Sequence, residues 1–293
     1  MAHIIVGVDG SEQSAEALRW ATRTAELRSA PLTAVLAWGY LDQHHTIVGE
    51  RFDPEYASKD AEAALDAYVV AALGPEDAAR VERKVVCDLA AAALLSAAET
   101  ADLLVVGARG LGGFRGLLLG SVSQHCVHHA TCPVAIIRGA HAARPDAEVG
   151  TPRVVVGIDG STGARQALRW AIAEARFRGA VLDVVHAWHP PYLGGHPYAV
   201  PAPDPDLYEG AARQVLHDAV AAEDTRGLAQ PVEEVLTLAG SAASALLEAS
   251  KGADLVVVGS RGLGGFGELL LGSVSHHVAH HATCPVVVVP PGA

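Results

Sequence analysis

Lysine is nearly missing from this chain. Its 293 residues include three, Lys59, Lys84 and Lys251, and none lies in a glycine loop. A Walker A loop needs Gly-Lys-Ser/Thr, so any phosphate held here must be met by backbone amides, hydroxyls, arginine or a divalent cation. Basic residues are outnumbered 33 to 21, and the formal net charge of −12 argues against nucleic acid or an anionic membrane surface as partner. No apolar run approaches the roughly 18 residues of a bilayer span. Met1 leads straight into a strand rather than a signal sequence, which points to the cytoplasm. The four cysteines, Cys87, Cys126, Cys132 and Cys284, form no CxxC pair, so buried thiols are expected and no disulfide framework. No GxSxG, HExxH or EF-hand pattern occurs, and the hydrolase, zincin and calcium-loop templates lack support.

What is present is a chain written twice. IIVGVDGSEQSAEALRWA (4–21) recurs as VVVGIDGSTGARQALRWA (154–171), and ADLLVVGARG (101–110) as ADLVVVGSRG (253–262). The offset is 150 residues at the front of the repeat and 152 at the back, far too long for a solenoid. Two tandem domains are expected, 1–140 and 152–293, joined by a linker at 141–151. The surrounding GAHAARPDAEVGTP (139–152) has turn and polar residues and no periodicity.

Each half alternates β-branched runs with Ala/Leu-rich stretches, the pattern of parallel strands joined by helices. In the first half, strands are expected at 3–8, 32–38, 81–87, 103–106 and 134–138, and helices at about 12–28, 54–72, 90–100 and 119–130. Strands apolar throughout need cover on both faces, so the fold class is α/β, two doubly wound Rossmann-like domains. Ser11 and Ser161 suit N-caps of the first helix of each half. Trp20 and Trp170, at matching places, suit a ligand platform or flank packing, and their helical spacing favours packing. The halves differ most at 39–56 and 189–208, after the second strands, where a parallel sheet puts loops on its ligand side. A lid, site tailoring and surface filler all fit those loops.

The chemistry is concentrated in GARGLGGFRGLLLGSVS (107–123) and GSRGLGGFGELLLGSVS (259–275). In each copy two glycines three apart, Gly107 and Gly110 or Gly259 and Gly262, precede a Gly-Ser by nine intervening residues, Gly120-Ser121 or Gly272-Ser273. A loop that curls around an anion turns backbone N–H groups inward and leaves no room for a Cβ. The Gly-Ser then opens a helix whose free amides and partial positive charge meet the same anion. The GxGxxG spelled by Gly262, Gly264 and Gly267 follows the fourth strand of its half and has Arg115 at the last place in the other copy, so it is an accident of a glycine-rich loop. Arg109 and Arg261 lie within the loops, suited to phosphate or to solvent. Gly-x-Asp-Gly-Ser ends each first strand (7–11, 157–161), where an acid at a carboxyl strand end faces the ligand crevice; a plain Asp-Gly turn is the alternative. Seven histidines, at 125, 128, 129, 276, 277, 280 and 281, include i, i+4 spacings. Without a nearby cysteine or carboxylate they read as helix ends packed on the sheet rather than metal ligands, and no metal site is assigned.

Together these motifs, with Ser-Val-Ser and His-Ala-x-Cys-Pro-Val in order in both halves, resemble the universal stress protein family in its tandem form, over almost the whole chain. The resemblance implies a five-stranded parallel sheet per domain, of the adenine nucleotide alpha hydrolase-like type, binding ATP at the strand carboxyl ends, with Mg2+ through the phosphates. Asp9 and Asp159 would serve the adenosine end, Gly7 and Gly157 would allow close approach, and Ala37, Val106, Ala187 and Val258 would lie near the base. The triphosphate would be wrapped by Gly107, Gly110, Gly112, Gly113, Gly120, Ser121 and Val122, and by Gly259, Gly262, Gly264, Gly265, Gly272, Ser273 and Val274. The resemblance also implies an internal pseudo-dimer through Val134 to Ile137 and Val286 to Val289, a further homodimer of whole chains, and a protein partner whose identity is unknown. No catalytic base or nucleophile is assigned, so the expected function is a nucleotide-dependent regulator of stress or dormancy with at most weak ATP hydrolysis. The alternatives are a slow ATPase or nucleotidyl transferase using the same cradle, or a non-binding interaction module.

Overall fold

The computed structural model describes residues 3–39, 58–111, 118–138, 150–189, 205–238, 240–263 and 271–292. The first half runs β1 (Ile4–Val8), α1 (Glu12–Arg28), β2 (Leu32–Trp38), α2 (Ser58–Leu73), α3 (Pro75–Ala78), β3 (Val81–Cys87), α4 (Ala90–Ala97), β4 (Leu103–Gly107), α5 (Ser121–His129) and β5 (Val134–Ile137). The second runs β6 (Arg153–Ile158), α6 (Thr162–Arg178), β7 (Val181–Trp188), α7 (Pro205–Ala221), β8 (Glu233–Leu238), α8 (Ala242–Ala249), β9 (Leu255–Gly259), α9 (Ser273–His281) and β10 (Val286–Val289). All five first-half strands stand where the apolar runs put them. The short α3 was not expected: Pro75 at its first turn follows Gly74, whose φ of 82° suits glycine and lets the chain leave α2 and restart at once. Helix α4 ends at Ala97, short of residue 100, because Ala98 leaves helical geometry (φ −93°, ψ 1°). The expected linker and the two divergent loops lie mostly outside the described residues.

The strands form one sheet in the order β3-β2-β1-β4-β5-β10-β9-β6-β7-β8. Pairing is parallel within each half, as in Ile4 with Leu32 and Leu103, and β5 meets β10 antiparallel, with Val286 opposite Ile136 and Val288 opposite Val134. Strand order reverses at β1 and at β6, which opens a crevice beyond the carboxyl ends of β1 and β4, and of β6 and β9. That crevice gathers Asp9 with the loop after Gly107, and Asp159 with the loop after Gly259.

Apolar packing covers both sheet faces and runs through both halves. One core joins Leu18, Ala21, Ile137 and Leu103 to Leu168, Ala171, Val287 and Leu255, and the other joins Val106, Val127 and Ile136 to Val258, Val278 and Val286. Helix α1 begins at Ser11, extended at φ −75° and ψ 158°, whose Oγ accepts the Ser14 N–H at 3.1 Å. Such a cap contributes about 1 kcal/mol. The equivalent Ser161 accepts from Ala164 at 3.1 Å and starts α6 the same way.

Helices α1 and α6 meet across the junction of the halves over a buried ion triad. Glu174 accepts from Arg28 at 2.5 Å and from Arg178 at 2.6 Å, with its side chain 1% exposed. Burial pushes the Glu174 carboxyl up, but the Arg178 and Arg28 guanidiniums outweigh it and hold it below the usual carboxylate range. Arg28 also lies over the Trp170 ring at 5.1 Å and Arg178 over the Trp20 ring at 5.0 Å, so both tryptophans pack at the junction, under arginines of the opposite half. In the first half the place of Glu174 is held by Thr24, whose Oγ1 accepts from Arg178 at 3.1 Å. One carboxylate therefore serves two arginines.

Candidate functional site

The site begins at the carboxyl end of β1. Asp9 follows Val8, and its Oδ1 accepts the Ser11 N–H at 3.0 Å, which fixes the carboxylate over the start of α1. Its Oδ2 accepts the Leu111 N–H at 3.0 Å, so the same carboxylate ties down the loop after β4. The second half repeats the arrangement, with Asp159 accepting from Ser161 at 2.9 Å and from Leu263 at 2.8 Å. Two motifs about a hundred residues apart thus meet through one side chain. One oxygen closes the Asp-Gly turn, as the turn reading has it, and the other holds the loop after the fourth strand of its half.

The glycines have measurable reasons. A Cβ on Gly110 would stand 2.2 Å from Asp9 Oδ2, and one on Gly262 2.2 Å from Asp159 Oδ2. On Gly107 it would come within 3.1 Å of the Gln13 carbonyl, and on Gly259 within 2.8 Å of Gly163 backbone, so β4 and β9 end against the first turns of α1 and α6. For Gly7 and Gly157 the nearest atoms are the ends of Leu94 and Leu246 at 2.7 and 2.6 Å, which gives these two positions a packing reason in α4 and α8. Val106 and Val258 are buried in the core, so only their backbone is available to a ligand, while Ala37 and Ala187 are half-buried near the ends of β2 and β7. Gly112, Gly113, Gly264 and Gly265 lie outside the described residues.

Helix α5 enters against the loop. The Gly120 N–H donates to the Ala108 carbonyl at 2.7 Å and Ser123 Oγ to the Gly107 carbonyl at 2.6 Å; Gly272 with Ser260 and Ser275 with Gly259 repeat both contacts at 2.7 and 2.5 Å. Gly120 and Gly272 are extended N-caps that offer no side-chain acceptor. Unlike the starts of α1 and α6, the first turns of α5 and α9 therefore present the amides of Ser121 and Val122, or Ser273 and Val274, with no capping side chain. These amides, the partial positive charge of the helix end and exposed Ser121 and Ser273 hydroxyls form an anion-receptive surface. Arg109 and Arg261 are exposed at its rim.

Three residues were not singled out from the sequence. Ser123 and Ser275 lock loop to helix from inside the repeated Ser-Val-Ser, a signal that was visible. Gln13 had none. Its Oε1 accepts the Arg109 N–H at 2.7 Å, whereas the matching residue in the second half is Gly163, and among the described residues no side chain takes the Arg261 N–H.

The seven histidines of α5 and α9 divide. His128 and His280 are half-buried, each with an Nε2 shielded from water and without a protein partner, while His125, His129, His276, His277 and His281 are exposed. Packing on the sheet accounts for the first two alone, because the other rings project outward. Among the described residues no cluster of three or more metal ligands occurs, and no helix is long and apolar enough to cross a membrane. Cys126, Cys132 and Cys284 are buried free thiols, as expected, and Cys87 is exposed, contrary to expectation, because β3 is an edge strand and Cys87 its last residue.

Known proteins resemble the chain over almost its whole length. The chain is 35% identical over 298 residues to a universal stress protein of Mycolicibacterium smegmatis, covering 98% of this chain and 97% of that one. It is also 35% identical to a universal stress protein of Mycobacterium tuberculosis, covering 97% and 95%. The crystal structure of a universal stress protein from Archaeoglobus fulgidus superposes over 99% of this chain and 98% of its own, with a TM-score of 0.67 at 21% identity, which shows the shared fold. The sequence profile of the universal stress protein family matches twice, at residues 1–138 and 150–290, and the chain belongs to that family.

Proposed function

We propose that the chain binds ATP, one molecule per half, with Mg2+ held through the phosphates, and that occupancy sets its conformation or its affinity for a protein partner in a stress or dormancy response. The observation that carries this reading is the convergence, in both halves, of an uncapped helix start and a loop whose glycine, Gly110 or Gly262, lies against an aspartate at a strand carboxyl end. The residues suit the group. With no lysine in either loop, a polyphosphate would be held by the amides of Gly110, Ser121 and Val122, and of Gly262, Ser273 and Val274, with the Ser121 and Ser273 hydroxyls. Mg2+ keeps most of its waters and is bound mainly by phosphate oxygens, so the lack of a three-ligand cluster among the described residues is compatible with it.

Asp9 and Asp159 are occupied as acceptors by backbone N–H groups of the helix start and the loop. Their role here is to hold the crevice in shape and to offer an acceptor to the sugar. No histidine or acid is hydrogen-bonded to a Ser121 or Ser273 hydroxyl among the described residues, which favours binding over turnover.

The test is to denature freshly purified protein, identify and count released nucleotide by liquid chromatography with mass spectrometry, and titrate emptied protein with Mg-ATP. Two ATP per chain is the expected result. One would mean that the halves have diverged; none, with no binding on titration, would leave an interaction module as the function. Phosphate release well above that of a Gly110→Ala, Gly262→Ala variant would favour the ATPase reading instead.

A further inference from the structure

The exposed histidines of α5 and α9 remain without a role. These two nine-residue helices carry seven of the chain's fifteen histidines. A favourable interaction with the helix C-terminus explains one cationic group near each end, and partial burial explains His128 and His280. Neither explains the outward pairs. His125 and His129 have ring centroids 4.3 Å apart, and His277 and His281 repeat this at 4.3 Å. Both pairs are i, i+4 on one helix face, and the offset of 152 residues relates one to the other.

We infer that each of these pairs is a two-nitrogen chelate for a divalent transition ion, giving the chain two surface sites, one per half and apart from the nucleotide crevice. Two imidazoles one helical turn apart are the donor arrangement that helical zinc motifs use, and rotation about the side-chain bonds brings two ring nitrogens to about 2 Å from a common ion. The donor set selects the class. With two neutral nitrogens and water completing the shell, Cu2+, Ni2+ and Zn2+ are favoured over Mg2+, Ca2+ and Mn2+, which prefer oxygen. The absence of a three-ligand cluster among the described residues fixes the kind of site: open, exchangeable and short of a structural metal. The third i, i+4 pair, His276 and His280, has centroids 4.2 Å apart but differs, because Arg138 donates to the carbonyls of Ala279 and His280 and places a fixed positive charge beside it. It is not assigned a metal.

The experiment is equilibrium dialysis of untagged, nucleotide-free protein against NiCl2, with Cu2+ electron paramagnetic resonance as a second readout. Wild type is expected to saturate at about two ions per chain with Kd below about 100 µM, the copper signal showing nitrogen hyperfine structure. His129→Gln should remove one ion, and His129→Gln with His281→Gln both, while His217→Gln, on α7, removes none. The three replaced or control rings, His129, His281 and His217, are exposed, so the folded state and ATP titration of the variants should match wild type. Undiminished Ni2+ binding by the double variant would overturn the assignment, as would a wild type that does not saturate. Loss of binding together with loss of the native circular dichroism spectrum is checked against His129→Asn with His281→Asn, which must fold and fail to bind for the proposal to stand.

Discussion

Asp9 Oδ2 occupies the space that a side chain on Gly110 would need, at 2.2 Å from the ideal Cβ position. The aspartate and the glycine, 101 residues apart, thus form one joint: the missing methyl admits the carboxylate, and the carboxylate fixes the loop through Leu111 N–H. Gly110→Ala has to push either Asp9 or the loop aside. The expected result is about a tenfold weaker ATP affinity in the first half, equivalent to about 1.4 kcal/mol, with little change in the second. Gly262→Ala should do the mirror image. Isothermal titration of each single variant reads this directly, and equal, unperturbed affinities in both would show that the joint does not shape the crevice.

Gln13 and Gly163 make the halves unequal. In the first half a loop amide is already taken by Gln13 Oε1, so a ligand that needs that amide must displace a hydrogen bond worth about 1 kcal/mol. The second half is expected to bind ATP several-fold more tightly. Gln13→Gly should narrow the gap in a two-site titration, and Gly163→Gln should weaken the second site, since a Cβ there would stand 2.6 Å from the Arg261 carbonyl oxygen.

Glu174 is the single acid of the buried triad, and its removal leaves two guanidiniums facing each other at the junction. Glu174→Gln should destabilise the protein by about 3 kcal/mol near neutral pH, measured by urea unfolding. The pH dependence has a definite sign. A carboxyl whose folded pKa is held below its unfolded value of 4.5 contributes fully above that value, and loses its contribution as pH falls through the lower, folded value. The stability difference between wild type and Glu174→Gln should therefore be constant from pH 7 to about 5 and shrink below 4.5.

Burial pushes the Cys126 thiol up to about 12 and the Cys132 and Cys284 thiols to about 11, so none is a nucleophile in the folded state. Exposed Cys87 is the exception. Native protein should react with one equivalent of a thiol reagent at pH 8 and denatured protein with four, and Cys87→Ser should abolish the native reaction. A fast-reacting thiol in that variant would contradict the burial.

Much of this architecture was readable from residue order alone, because strand identity depends on local apolar runs such as IIVGV and on turn residues beside them. That the glycine loops and Asp9 share one end of the sheet was readable too, since parallel strands put all the loops that follow them at their carboxyl ends. What escaped were contacts decided by three-dimensional register. Gln13 looks like any exposed first-turn residue until β4 ends against it, and Glu174 looks like a surface acid until α6 meets α1. The histidine pattern was visible, but which rings face outward depends on how α5 and α9 rotate against the sheet. Cys87 was misjudged for a related reason: strand identity does not say which strand lies at the edge.

The antiparallel pairing of β5 with β10 lies in the middle of the sheet, between partners carried by one polypeptide. Two separate single-domain chains pairing through the same strands would obey mass action and part on dilution. Here each half always sees the other at a fixed effective concentration, set by covalent connection rather than expression level. The pairing is therefore independent of how many copies a cell holds. The two halves are also free to diverge, because a substitution in one copy, as at positions 13 and 163 or 24 and 174, is not imposed on its partner by symmetry.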